Sequence, residues 1–255
     1  MLTILLSPSK TMDFKRPCVV KNNTIPSFIN ESQQLINLLK ELDKDELIRL
    51  MKVSPSIANE NFIRFRKWCF PFPEDQARPA VMAFKGDVYE GLKAEKFTAS
   101  DLEFAMRHLR IISALYGLLR PLDLIMPYRL EMSVRLANSN GRTLYKYWGD
   151  KITDEVNKLM KENGSAFLVN LSSSEYFKSI NLKKINRPVI TPVFMEKNGN
   201  GYETIGIHSK RARGMMSRFL IMNRIRESEE IKEFCDENYK FNKGLSEENN
   251  WIFTR

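Results

Sequence analysis

Residues 2–11 read LTILLSPSKT, and the interpretation of the whole chain starts from this stretch. The apolar run 2–6 ends at Ser7-Pro8, which predicts a short strand buried on both faces. Loops that follow such strands in α/β sheets collect ligands. Two hydroxyls and the ammonium of Lys10 follow here, with Thr11 next. These groups could bind a phosphate, although the segment lacks the glycines of a P-loop. The alternative is a capped turn in which the lysine is only solvated.

A second buried strand is predicted at 166–171, and hydroxyl groups follow it in the same way, at 172–174. The turn Asn198-Gly199-Asn200-Gly201 predicts a hairpin. Apolar residues at 251–253 indicate that the end of the chain docks. Helices are predicted over 27–51 with a break at Asp43, and over 54–68, 98–119, 143–161 and 215–225. The pattern predicts an α/β fold: a single compact domain over 1–255, with a mixed sheet surrounded by helices.

The composition is that of a globular protein with a basic surface. Lys and Arg number 40 against 31 Asp and Glu, giving a net charge of +9 over 255 residues. That surplus favours polyanionic partners, although a merely basic surface has the same composition. No secretory signal and no apolar segment of about 20 residues is present, so we expect a cytoplasmic protein without a membrane partner.

Cysteine and histidine are too scarce and too widely spaced for a disulfide framework or a metal centre. The chain has three cysteines (Cys18, Cys69 and Cys235) and two histidines (His108 and His208). We therefore expect no metal site, no cofactor and a reducing compartment.

Two glycine-containing segments carry candidate chemistry. Residues 84–91, FKGDVYEG, contain two glycines that frame a bend carrying Lys85, Asp87 and Tyr89. This arrangement supplies a donor and a possible proton acceptor, or a simple turn with an internal Lys–Asp pair.

The other segment, residues 109–121, reads LRIISALYGLLRP and is predicted as a helix ending at Tyr116-Gly117. It loosely resembles a helix–hairpin–helix element, whose turn presents backbone amides to a nucleic-acid phosphate, with Arg120 just downstream. A plain helical hairpin in the core is the alternative. Arg129 and Glu131 could form an internal ion pair or line a cleft.

The most basic stretch is 208–226, which contains no acidic residue. Its cations include Lys210, Arg211, Arg213 and Arg218. The first three are predicted to lie at the start of a helix, where they oppose the helix dipole unless an anion is bound. Pairing with the glutamates at 227, 229 and 230 is the alternative.

A third loop, 172–178, reads SSSEYFK and contributes Glu175 and Lys178. Its serines suit a helix N-cap or an anion site. No histidine lies nearby in sequence, so a serine-hydrolase triad has no support.

Taken in order, these segments resemble the YaaA family of peroxide-stress proteins. The matching stretches are LLSPSKTM (5–12), AFKGDVYEGL (83–92), LYGLLRPLDLIMPYRLEM (115–132), LYKYWGD (144–150), NLSSSEYFK (170–178) and SKRARGMMSRF (209–219). One departure is Ser9, where many members have alanine.

The resemblance implies protection from hydrogen peroxide, with less free iron and less oxidative DNA damage. It also implies one α/β domain with a basic cleft and a helix–hairpin–helix element that binds double-stranded or distorted DNA. No ligand set explains the iron effect, so an indirect effect is expected. The DNA-binding candidates are Lys10, Thr11, Lys85, Tyr116, Gly117, Arg120, Lys178, Lys210, Arg211, Arg213 and Arg218.

An enzyme acting on a nucleic-acid base or nucleotide is the alternative function. In a glycosylase/lyase mechanism a lysine attacks a sugar carbon, with a carboxylate close by. The candidate catalytic residues are Lys10, Asp87 and Glu175.

Overall fold

The computed structural model describes residues 1–15, 22–199 and 201–255. Cys18 and Asn200 lie outside the described residues. The strands are β1 (Leu2–Leu6), β2 (Thr11–Met12), β3 (Arg78–Pro79), β4 (Phe84–Lys85), β5 (Leu109–Ser113), β6 (Gly117–Leu119), β7 (Leu124–Ile125), β8 (Phe167–Leu171), β9 (Val189–Asn198), β10 (Gly201–Glu203), β11 (Lys240–Phe241) and β12 (Asn250–Thr254). The α-helices are α1 (Ile29–Glu41), α2 (Lys44–Met51), α3 (Pro55–Lys67), α4 (Ala80–Ala83), α5 (Asp87–Leu92), α6 (Ala99–His108), α7 (Leu144–Trp148), α8 (Lys151–Glu162), α9 (Ser174–Phe177) and α10 (Gly206–Met222).

Within these described residues, eight strands form one sheet in the order β11-β12-β9-β8-β1-β5-β6, with β10 paired to β9. The five inner strands β12, β9, β8, β1 and β5 are parallel, whereas β11, β10 and β6 run antiparallel to their neighbours. Helices α6, α8 and α10 all contact β1. The predicted α/β class with a mixed sheet and surrounding helices is confirmed.

The predicted strand at 2–6 is the centre of the sheet. Leu2, Ile4, Leu5 and Leu6 are all fully buried. A parallel strand flanked on both sides and covered on both faces has no polar face, which explains the continuous apolar run. The predicted strand at 166–171 is β8, the parallel neighbour of β1 along its whole length.

Several predicted boundaries are also confirmed. Asp43 separates α1 from α2 and caps α2, where its side chain and that of Glu46 form a capping box. Ser54 caps α3, with Pro55 in its first turn. The segment 251–253 is buried within β12.

The predicted helix over 98–119 is wrong in its second half. Thr98 caps α6 as expected, but the helix ends at His108 and the chain continues as β5, turns, and returns as β6. The segment 109–119 is thus a β-hairpin and not a helix–hairpin–helix element. The free edge of β1 explains the difference. Leu109 and Ile111 pair with β1 at this edge and are fully buried.

Two other helices differ in extent from the prediction. The segment 143–161 forms α7 and α8, which are separated at Gly149, a glycine with a positive φ of 49°. Helix α10 begins at Gly206, nine residues before the predicted start at 215. Among the described helices, none combines the length and apolar character required to cross a lipid bilayer.

Candidate phosphate-binding site at the carboxyl ends of the strands

The sheet reverses its order between β1 and β8. From β1 the chain reaches β5 on one side of it, and later returns to β8 on the other side. Ligands of open α/β sheets bind in the crevice outside the carboxyl ends of strands at such a reversal. Ser7 follows β1 here, and Ser173 follows β8. The Ser173 N–H donates to Ser7 Oγ at 2.7 Å, so the two loops are joined.

Lys10 immediately precedes the short strand β2, and Lys85 lies on its partner β4. Thr11 of β2 is opposite Lys85 of β4. The Ser9 hydroxyl donates to the carbonyl of Lys85, which closes the loop onto β4. Gly86 permits this approach, since its φ is +123° and a Cβ there would lie 3.1 Å from Ser9 Oγ. Both lysine side chains are exposed.

Tyrosines support the loops from below. The Tyr89 hydroxyl donates to the carbonyl of Ser7 at 3.0 Å, and the ring is buried. Tyr128 shares a 2.6 Å hydrogen bond with Ser113, at the end of β5. Burial raises the pKa of Tyr89 well above its ordinary value, and the neighbouring Tyr128 and Tyr176 raise it further. These phenols therefore stay neutral and hold the loops in place.

Lys10 also borders a cavity of about 980 Å³. Its Nζ lies 2.9 Å from Glu131 Oε2, and Arg129 Nη2 lies 3.1 Å from the other oxygen of Glu131. Arg129 and Glu131 thus form the ion pair and also line the cavity, so both expectations for them hold together. Arg129 Nε is fully buried and has no hydrogen-bond acceptor among the described residues.

Glu175 connects the loop after β8 to the same cavity. Its Oε1 accepts hydrogen bonds from the N–H of Ser133 at 3.0 Å and from its hydroxyl at 2.9 Å. Its carbonyl accepts from the Tyr145 hydroxyl at 2.8 Å. The carboxylate is therefore used to join two loops. Ser133 and Tyr145 were not predicted from the sequence, where no local pattern marks them.

The remaining candidates in these two loops are Asp87 and Lys178. Asp87 is half-buried at the first position of α5, where a carboxylate favours the helix N-terminus. Lys178 is exposed and ends α9, five residues after Ser173. Within the parts of the chain that are described, no three His, Cys, Asp or Glu side chains are grouped so as to hold a metal ion.

Contrary to the prediction from the sequence, the basic residues of α10 do not lie at the start of the helix. Because α10 begins at Gly206, Lys210 and Arg211 lie beyond its first turn, and the expected conflict with the helix dipole is absent. Arg211 pairs with Glu237 at 2.8 Å, and Arg218 Nη1 donates to the Lys93 carbonyl at 3.5 Å. Burial lowers the pKa of the Arg213 guanidinium. Lys210 is the exposed cation of this group.

The hairpin residues do not belong to the same surface. Tyr116 and Gly117 are buried, so the amides of this turn are not presented to solvent as the helix–hairpin–helix interpretation required. Because β6 runs antiparallel to β5, Arg120 emerges at the opposite end of the sheet from Lys10. There it pairs with Asp123 at 2.9 Å and lines a different cavity.

Comparisons with known proteins place the chain in a family. The model of a protein family described as peroxide stress protein YaaA matches residues 2–245. The chain belongs to the YaaA family. A relative named UPF0246 protein, from Hahella chejuensis (strain KCTC 2396), is 45% identical over 254 residues, which cover 100% of this chain and 99% of the relative. Membership in the YaaA family supports a role in the peroxide stress response.

Proposed function

We propose that this YaaA-family protein binds the phosphate backbone of double-stranded or distorted DNA during the peroxide stress response. The contact surface is the basic edge, which we define as Lys10, Lys85 and Lys178. The observation that supports the proposal is that a hydrogen bond joins the loops after β1 and β8, which precede Lys10 and Lys178, where the sheet order reverses, and that Lys85 is paired with Thr11 next to Lys10. Among the described residues, Lys85 and Lys178 have no carboxylate within 4.0 Å.

The chemistry of the basic edge fits a ligand recognised by its backbone. Lysine is a point charge on a flexible stem, so it neutralises phosphates without reading a particular base. Each neutralised phosphate releases counterions, and affinity then falls steeply with added salt. Little base specificity is expected from such contacts.

The cavity beside Lys10 supports a preference for distorted DNA. Its wall includes apolar side chains such as Leu38, Leu50 and Met51 next to the guanidinium of Arg129. A nucleotide that has left the base stack can place its base on an apolar wall and its polar edge on a buried donor. The guanidinium of Arg129, which lines this cavity, supplies such a donor.

Charge reversal at the two unpaired lysines tests the proposal. Lys85→Glu and Lys178→Glu together should weaken binding to a fluorescent duplex by roughly tenfold or more at moderate salt. The slope of log affinity against log salt should become shallower by about 1 for each phosphate that the variant no longer neutralises. Lys243→Glu is the matched control, because Lys243 is exposed in the connection between β11 and β12, at the far edge of the sheet.

The control variant distinguishes binding at a specific site from binding driven by net charge. Equal weakening by Lys243→Glu would show that net charge alone drives binding, and unchanged binding in the double variant would place the site elsewhere. Circular dichroism spectra of all variants should match that of the parent, since the substituted side chains are exposed.

A second candidate function is a lyase acting on damaged DNA, and the carboxylate of Glu131 beside Lys10 favours it. In this reaction the lysine amine attacks C1′ of an abasic sugar, and loss of water forms an imine. The carboxylate would accept the amine proton. The same ion pair also stabilises the ammonium form, which is not nucleophilic, so DNA binding remains the leading proposal.

Reductive trapping distinguishes these functions. Borohydride reduces the imine to a stable amine, so a lyase would give a covalent adduct with abasic duplex that disappears in Lys10→Ala and persists in Lys85→Ala. The absence of an adduct, or an adduct that Lys10→Ala leaves unchanged, removes the lyase candidate.

A further inference from the structure

A second basic cavity lies at the other end of the sheet, where β1 and β5 begin. It measures about 910 Å³, and we call it the amino-end cavity. Met1 and His108, which precede these two strands, lie in its wall. The arginines in the wall are Arg107, Arg110, Arg120, Arg224 and Arg226.

Three of these arginines have carboxylate partners. Arg107 pairs with Glu103 at 2.6 Å, Arg120 with Asp123 at 2.9 Å, and Arg224 with Asp101 at 2.7 Å. Their charges are therefore largely satisfied within the fold.

Arg110 is different because it is buried without a carboxylate in direct contact, and only the more distant Asp123, Glu155 and Glu162 attract its charge. Only 9% of the residue is exposed, and no described carboxylate lies within 4.0 Å of it. Its Nη1 donates to the carbonyls of Met106 and Leu109, each at 2.8 Å. Burial lowers the pKa of its guanidinium to about 10. Removing a cation from water in this way costs free energy that an anion would offset.

The remaining donors of Arg110 are available to a ligand. Nε and Nη2 make no hydrogen bond to the described residues, and together they form the edge that binds two oxygens of one phosphate or carboxylate. Arg226, which lines the same cavity, is exposed, and its guanidinium has no described carboxylate within 4.0 Å. The acids in the wall are Glu103, already paired, and Glu162.

We propose that the amino-end cavity is a second anion site, in which Arg110 and Arg226 hold the terminal phosphate of a small phosphorylated molecule. A terminal phosphate can enter a cavity and reach a buried guanidinium, whereas the phosphodiester of a duplex carries a sugar on both sides. The site is at the opposite end of the strands from the basic edge, so it does not depend on DNA binding.

Thermal unfolding at constant ionic strength tests this site, with inorganic phosphate exchanged for chloride. The parent protein should gain roughly 2–4 °C in Tm when phosphate reaches ten times its Kd. Arg110→Met should abolish the gain, because Met replaces the apolar stem of the arginine side chain and lacks the charged guanidinium. Arg226→Gln, an exposed change that does not threaten folding, should weaken phosphate binding several-fold.

Two controls give the experiment its specificity. Arg107→Gln, at an exposed and already paired arginine of the same wall, should keep the full response. Dimethyl phosphate, a diester, should give no gain. The proposal is overturned if phosphate does not stabilise the parent, if Arg110→Met and Arg226→Gln both respond like the parent, or if the diester stabilises equally.

Discussion

Single polar groups determine the shape of the crevice. The Ser7 hydroxyl accepts the amide of Ser173, and Glu175 accepts two donors of Ser133, so the loops after β1 and β8 are fixed by hydrogen bonds. Such buried or half-buried bonds matter mainly because an unpaired partner would cost about 1–3 kcal/mol. Side chains that the sequence suggested for ligand binding thus partly serve to hold the site together.

At the same scale, we predict that Asp101 makes the folding stability depend on pH. It accepts from Thr98 and from Arg224, with 2.7 Å to the latter. Burial of Asp101 acts to raise its pKa, but the Thr98 hydrogen bonds and Arg224 outweigh that effect and the pKa is lowered. We expect Asp101→Asn to lower the free energy of unfolding by about 1–2 kcal/mol at pH 7.

The difference should depend on pH in one direction. Because the folded pKa lies below the unfolded value of about 3.9, the carboxylate stabilises the fold above that pH and loses its effect as pH falls through the folded pKa. Urea unfolding of both proteins between pH 7 and pH 3 checks this. Glu103→Gln, in an exposed pair, should change stability by less than about 0.5 kcal/mol. A gap for Asp101→Asn that stays constant down to pH 3 would contradict the assignment.

Sequence patterns indicate candidate binding residues better than they indicate the partners of those residues. Lys10, Lys85 and Lys178 could be predicted because they follow apolar runs that become strands or sit beside a turn glycine. The partner of Arg211 could not, since Glu237 lies in a distant segment and no local spacing connects them. Three-dimensional pairing decides whether a cation is free to bind, and local sequence does not specify that pairing.

Among the elements, helices α5 and α10 pack with their backbones in direct contact. A Cβ on Gly214 would lie 1.8 Å from the Val88 carbonyl oxygen, and one on Gly91 would lie 2.2 Å from the Arg211 carbonyl oxygen. The two glycines therefore allow the backbones to touch. This contact places α5, which includes Tyr89, against α10, the helix that packs on β1.

We predict opposite effects for the same substitution at two positions of α10. Gly214→Ala should lower the free energy of unfolding by about 3 kcal/mol or more, because neither backbone can move away without disturbing the core. Gly206→Ala should be neutral or raise it by up to about 1 kcal/mol, since no atom lies within 4 Å of its Cβ position and alanine favours a helix. Chemical denaturation measures both, and a tolerated Gly214→Ala would contradict the packing.

The element that sequence reasoning missed is the β5–β6 hairpin. The run from Leu109 to Leu119 is apolar enough for a buried helix or for buried strands, and periodicity does not separate them. The segment forms strands because β5 pairs with the edge of β1. This edge is available only when the sheet forms, so the local sequence does not reveal it. The helices over 29–67 were predicted correctly because their apolar residues recur at helical spacing and because Asp43 and Ser54 cap α2 and α3.

For the whole molecule, the cations proposed to bind anions lie at the two ends of the strands. The carboxyl ends carry Lys10, Lys85 and Lys178 on exposed loops, whereas the amino ends carry Arg110 inside a cavity. Exposed lysines suit an extended polyanion, and a buried guanidinium suits a small anion. The net charge of +9 alone could not distinguish these two surfaces.

Backbone hydrogen exchange with and without duplex DNA tests the location of the DNA surface most directly. We predict slower exchange on binding in three segments that are distant in sequence, 7–12, 84–87 and 172–178, and unchanged exchange at 242–246. Protection confined to 106–110 and 224–226, or none in the three segments at saturating DNA, would contradict the assignment of the basic edge.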